Sequence, residues 1–141
     1  MEQKLFTLQL FTTFAMTGII LLVQLVHYPS FHYVDVSKAH EFQMFHVNQI
    51  TKIVMPLMIV ELITIIALSL LFPSLNYFIL LGLTVGIFVA TFLLSVPLHN
   101  QLLTQWQSHL IAKLVLTNYP RTILWAIKSL FMLGLMWKKT A

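Results

Sequence analysis

The chain has 141 residues, 59% of them apolar and 9% charged. Soluble domains carry about a quarter charged residues, so this composition and the mean hydropathy of +0.89 exclude an ordinary soluble domain and point to one integral membrane domain. The net charge of +4, in such a protein, bears on topology and anionic lipid rather than on nucleic acid, and the lack of cysteine excludes disulfides, thiolate metal sites, iron–sulfur clusters and covalent haem.

A spanning helix needs about 20 apolar residues. Four segments qualify, at residues 5–27, 51–72, 77–96 and 120–137, which predicts an all-α integral membrane four-helix bundle with amphipathic interfacial helical segments. The first run is too long for a signal-peptide core and ends in "QLVHYP", which offers no cleavage site, so it is read as a retained helix. Residues 37–50 are expected to run straight into the second span, with Asp35 or Ser37 as the cap. The "PSLN" at 73–76 is a tight turn that makes an antiparallel hairpin of the second and third spans. Residues 98–117 set Leu103, Trp106, Leu110 and Leu114 on one stripe, the pattern of a helix lying in the membrane surface. Pro120 then falls in the first turn of the last span.

Four spans place both termini on one side. Lys4 and Lys138–Lys139 argue that this side is cytoplasmic, against a counterweight of Lys38, Lys52, Lys113 and Arg121 on the other. All six histidines then gather at the end away from the termini, with Asn100, Asn118 and Arg121.

Glu61 lies ten residues into the second span, about 15 Å deep. A carboxylate at that depth is costly and marks function by default. Lys128 lies at similar depth in the fourth span. The two can form a structural ion pair, or Glu61 can be protonated and hydrogen-bonded across helices; either way both face inward. His46 shares a helical stripe with Ile53, Leu57 and Thr64. His27 closes the first helix, and His99 follows Pro97, which opens the third helix. Three inward imidazoles have the chemistry to bind a metal or a porphyrin iron or to shuttle protons, so His27, His46 and His99 are the metal candidates. The plain alternative is an interfacial anchor, to which His32, His40 and His109 are assigned. "HEFQMFH" is not HExxH, and no Glu-x-x-His pair occurs.

Arg121, Trp125, Lys128 and Met132 share one helix face. Arg121 with Asn118 offers donors for an anionic or enolate-like oxygen, or for a lipid phosphate. Gly82 and Gly86 form G-x-x-x-G, extended by Ala90, which lets helices approach closely within the bundle, between copies or against a membrane partner.

The order "HYP.F", "F.MFH", "IV.P.M..EL", "VPLHNQL" and "LV.TNY.RT..W" resembles the small four-helix membrane family that contains the anthrone oxygenases and many bacterial proteins. The resemblance runs from His27 to about Lys128. It implies His27, His46, His99, Asn100, Asn118, Arg121 and Trp125 as the matching polar positions, a bacterial inner membrane, and oxygenation of a polyaromatic phenol. Gln49 stands where related bacterial sequences carry a second histidine, a departure that bears on any metal or oxidative role. More loosely, "YPSF" followed by "MPLM" is similar to the membrane haem-binding protoporphyrinogen oxidases.

The expected function is a membrane-embedded oxidoreductase or oxygenase-like protein acting on an apolar aromatic or quinoid substrate drawn from the bilayer. His46 or His99 is the expected base, Arg121 and Asn118 the oxyanion donors, Trp125 a stacking surface, and His27, Asn100 and Glu61 further substrate contacts. The alternatives are a non-catalytic membrane subunit or pigment-binding partner of a larger complex, and a haem or metal carrier for electron transfer.

Overall fold

The computed structural model describes residues 1–140, and side chains as far as Lys138, so the side chain of Lys139 lies outside the description. Every element is helical, and the helices join end to end into four rods. The first is α1 (Glu2–Leu22), continued by a π-helical turn (Val23–His27), α2 (Tyr28–Ser30) and a 3-10 turn (Phe31–Tyr33). A short 3-10 turn (Val36–Lys38) leads into the second rod, α3 (Ala39–Leu71). The third is α4 (Leu75–Ala90), a π-helical turn (Thr91–Ser95) and α5 (Val96–Thr104), and the fourth is α6 (Ser108–Thr140).

Local chemistry explains the breaks. Asp35 begins the second rod by accepting from the Ser37 amide at 2.7 Å, and Ser74 begins α4 by accepting from the Tyr77 amide at 3.3 Å. The two π turns share one cause. Each is followed by a single residue and then a proline, Tyr28–Pro29 in the first rod and Val96–Pro97 in the third. Proline has no amide hydrogen to give the carbonyl four residues back, and its ring collides with that carbonyl. One extra residue in the preceding turn moves the carbonyl aside, and the Tyr28 and Val96 amides bond instead to Val23 and Thr91, five residues back.

Several expected boundaries change for this reason. His27 does not close the first helix; the backbone stays helical to Tyr33. Pro97 does not open the third helix either, because the π turn absorbs it and α5 continues to Thr104. Residues 98–117 are not one surface helix. Their first part belongs to the third rod, the chain turns at residues 105–107, and the rest begins α6. Pro120 therefore sits well inside α6 rather than in its first turn.

The first rod packs against the second and fourth, and the third rod against the same two, so consecutive rods are neighbours around a square. Three rods, Glu2–Tyr33, Val36–Leu71 and Leu75–Thr104, are long and apolar enough to cross a membrane. The sequence suggested four such segments. The fourth rod has the length, 33 residues, but Asn118, Arg121, Lys128 and Ser129 lower its apolarity. Those four side chains are all buried, whereas Leu116, Ile123, Ile127 and Leu130 on the same helix are exposed.

The interior alternates between apolar and polar layers. One apolar cluster, around Met16, Ile20, Met58 and Trp125, lies toward the histidine end, and a second, around Phe6, Ile65, Leu80 and Met132, lies toward the termini. On the G-x-x-x-G face only Gly86 packs inward, where an added Cβ would stand 3.4 Å from Leu124; around Gly82 there is open space.

Candidate functional site

The polar end is organised by contacts between the rods. His27, on the π turn, meets His46 of α3 at 2.7 Å, Nε2 to Nδ1. His99 of α5 lies beside His46, with ring centroids 5.1 Å apart, but its nitrogens are engaged elsewhere. Nδ1 faces the Gln43 amide at 3.0 Å, and Nε2 faces the Tyr28 hydroxyl at 2.9 Å. The same Gln43 nitrogen donates to the His99 carbonyl at 3.1 Å. A carbonyl only accepts, which fixes the amide orientation, so Gln43 also donates to Nδ1. Neutral His99 is therefore protonated on Nε2 and donates to the Tyr28 oxygen. The Tyr28 proton is left to point elsewhere.

Beside it lies a cavity of about 290 Å³ walled by Met16, Ile20, Val23, Ile50, Val54 and Met58, with Tyr28, Ser95, His99 and Arg121 forming its polar end. Both π turns contribute to the walls, Val23 from one and Thr91, Phe92 and Ser95 from the other. Arg121 is 6% exposed. One of its terminal nitrogens donates to Ser95 Oγ at 2.8 Å, its carbon lies 5.6 Å from the centre of the Trp125 ring, and its Nε has no partner. No carboxylate pairs with it among the described residues. Of the chain's four acids, Asp35 and Glu41 are exposed, Glu2 accepts from the Tyr77 hydroxyl, and Glu61 is held by Lys128.

Glu61 and Lys128 occupy a separate buried layer below the cavity. The Lys128 ammonium donates to Glu61 Oε1 at 2.8 Å and to Thr84 Oγ1 at 2.6 Å. Thr13 donates to the same carboxylate oxygen at 2.7 Å, and the Trp125 indole donates to the other at 3.2 Å. The Gln9 amide, oriented by its partners, accepts from Lys128 at 2.9 Å, donates to the Glu61 carbonyl at 2.8 Å and contacts Thr64. All four rods contribute, and every charge is hydrogen-bonded. A further layer joins Gln24 Oε1 to Asn118 Nδ2 at 2.9 Å and to the Thr122 hydroxyl at 3.2 Å.

The residues singled out from sequence thus divide. His99 and Arg121 reach the cavity. His27 and His46 stand beside it as a pair, Asn118 belongs to the Gln24 layer, Trp125 and Glu61 belong to the ion-pair layer, and Asn100 is exposed. Ile53, expected on the inner stripe with His46, is 54% exposed; Ile50 and Val54 take the inward positions. Tyr28, Gln43 and Ser95 were not anticipated, although Tyr28 and Ser95 each lie within two residues of the proline that follows a π turn.

The donor geometry does not fit a three-imidazole metal centre. Such a centre needs three lone pairs aimed at one point, whereas His27 Nε2 and His46 Nδ1 are spent on each other and both His99 nitrogens are engaged, so that the unpartnered His46 Nε2 finds no second imidazole nitrogen from His99 to share a metal with. Among the described residues no three His, Asp or Glu side chains are grouped to hold a metal ion. His99 is the sole imidazole on the cavity wall, and it turns no free nitrogen toward a porphyrin iron. Comparison of the chain with family models, with characterised proteins and with solved structures gives no match.

Proposed function

We propose that this is a four-span integral membrane protein that binds an apolar aromatic or quinoid molecule by a ring oxygen carrying negative charge, and that it serves oxygenase-like chemistry on that molecule. The pattern of exposure supports the membrane setting: large apolar side chains cover the outside of all four rods, while amides, hydroxyls and charges are buried in layers between the apolar clusters of the interior. The apolar cluster that holds Phe6 also takes in Leu135 and Met136, which supports both termini lying on one side, and we assign that side to the cytoplasm of a bacterial inner membrane.

The carrying observation is Arg121. A guanidinium withdrawn from water is costly unless an anion meets it. Here it stands without a carboxylate at the head of an apolar cavity, beside Tyr28, whose oxygen accepts from His99 and whose own proton then remains to be donated. Arg121 and Tyr28 are the two donors for the ligand's oxygen. His99, held by Gln43, is a positioning residue that keeps Tyr28 in the donating orientation; it is not the base. Stabilising a ring oxyanion is what these residues contribute to oxygenation: the ring, having released a proton on binding, forms a carbon–oxygen bond to dioxygen, and the second oxygen atom leaves as water with the protons the ring gives up.

The test is a titration of the detergent-purified protein with a hydroxynaphthoquinone, followed by tryptophan quenching. Charge-assisted hydrogen bonds contribute about 1.5–3 kcal/mol, so Arg121→Gln should weaken binding about 10- to 100-fold. Equal affinity in a folded variant would overturn the proposal.

A further inference from the structure

The cavity is shut toward the aqueous end and open toward lipid. Phe31 is fully buried, stacks on Trp106 at 5.6 Å and meets Phe42 edge-on at 5.1 Å, and this aromatic plug joins the His27–His46 pair above the cavity. On the flank between α3 and the third rod the wall is incomplete. Met55, Phe92 and Val96 line the cavity and are also 37%, 50% and 39% exposed on the outer surface. They lie within two of the rods that are apolar and long enough to cross a membrane. Arg121 and Tyr28 sit deep, and this mouth is the way in.

Size narrows the occupant. A cavity of about 150 Å³ holds one benzene ring, so 290 Å³ has room for about two fused rings. A long hydrocarbon chain does not fit beside them and must leave through the mouth. Resting on the reading of Arg121 and Tyr28 above, we infer that the occupant is a membrane-resident quinone or quinol with a two-ring head, which enters sideways from the bilayer and leaves its hydrocarbon tail between Met55, Phe92 and Val96.

The experiment uses wild-type protein in vesicles and a prenylated hydroxynaphthoquinone with a photoreactive group on the tail. Crosslinks should fall on Met55, Phe92 or Val96. Crosslinks confined to the 31–42 or 106–109 region would place the mouth at the aqueous end and overturn the inference. Because the chain lacks cysteine, Phe92→Cys gives a single attachment point. A bulky lipophilic maleimide there should reduce affinity for the tailed probe at least about tenfold relative to the unlabelled variant. Binding of the tail-less hydroxynaphthoquinone but not the tailed one would sink this inference while leaving the proposed function standing. If neither binds, both fail, and preference for laurate over both would assign the cavity to an acyl chain and overturn the quinoid head.

Discussion

Glu61 and Lys128 meet across the diagonal of the bundle, with carboxylate oxygen and ammonium nitrogen 2.8 Å apart and neither side chain exposed. Rods two and four are not neighbours around the square, so this contact passes through the middle of the molecule and ties together two rods that do not pack side by side. Breaking one half of such a pair strands a charge in a low dielectric, whereas removing both halves does not.

Lys128→Met should therefore destabilise the protein by about 3–5 kcal/mol. The double variant Glu61→Leu/Lys128→Met should recover most of that loss and can exceed wild type. Reversible unfolding in mixed micelles measures both. Additive losses in the double variant would contradict the pairing.

Acidification should act on His27 and His46. Their 2.7 Å contact needs one ring to donate and the other to accept. Two protonated rings would set two donors and two like charges face to face, so the folded pair resists protons that the unfolded chain takes up, and stability should fall as pH drops through the imidazole range. His27→Gln, which removes one of the two charges, should show a smaller drop in Tm over the same interval. Parallel pH profiles for the two proteins would refute this.

Gln43 should set the tautomer of His99. Nitrogen NMR of the labelled protein should show His99 protonated on Nε2, and Gln43→Leu should release it to a mixture of both forms. The same variant should weaken quinoid binding about tenfold through Tyr28 while leaving the fold intact. Finding Nδ1 protonated in wild type would break the chain from Gln43 to Tyr28.

Much of this architecture is legible in the residues. Runs of apolar residues locate the rods, and Glu61 and Lys128 stand out because a charge in the middle of an apolar run is costly unless it finds a partner. Legibility fails where a proline is read as an end. Pro29 and Pro97 widen a helix instead of stopping it, and since the π turns carry Val23, Phe92 and Ser95 into the cavity wall, misreading them hides the cavity. Tyr28 escaped notice because an interfacial tyrosine is ordinary by composition; only its contact with His99 distinguishes it. Trp125 carries a contact that its place on the Arg121 face did not suggest: its indole nitrogen donates to Glu61.

Pro97→Ala tests whether the π turn is built for the cavity. Restoring an amide at residue 97 lets the rod return to regular α-helix, which should raise Tm by a few degrees and lower ligand affinity, a trade of function for stability. Unchanged affinity with a raised Tm would show the π turn to be incidental to binding.

The most direct measurement is the visible spectrum of a bound hydroxynaphthoquinone, whose band moves to longer wavelength on ionisation. At a pH where the free compound is neutral, the wild-type complex should show the ionised band and Arg121→Gln the neutral one. A neutral spectrum in the wild-type complex, or the same ionised spectrum in both, would contradict an anion held by Arg121.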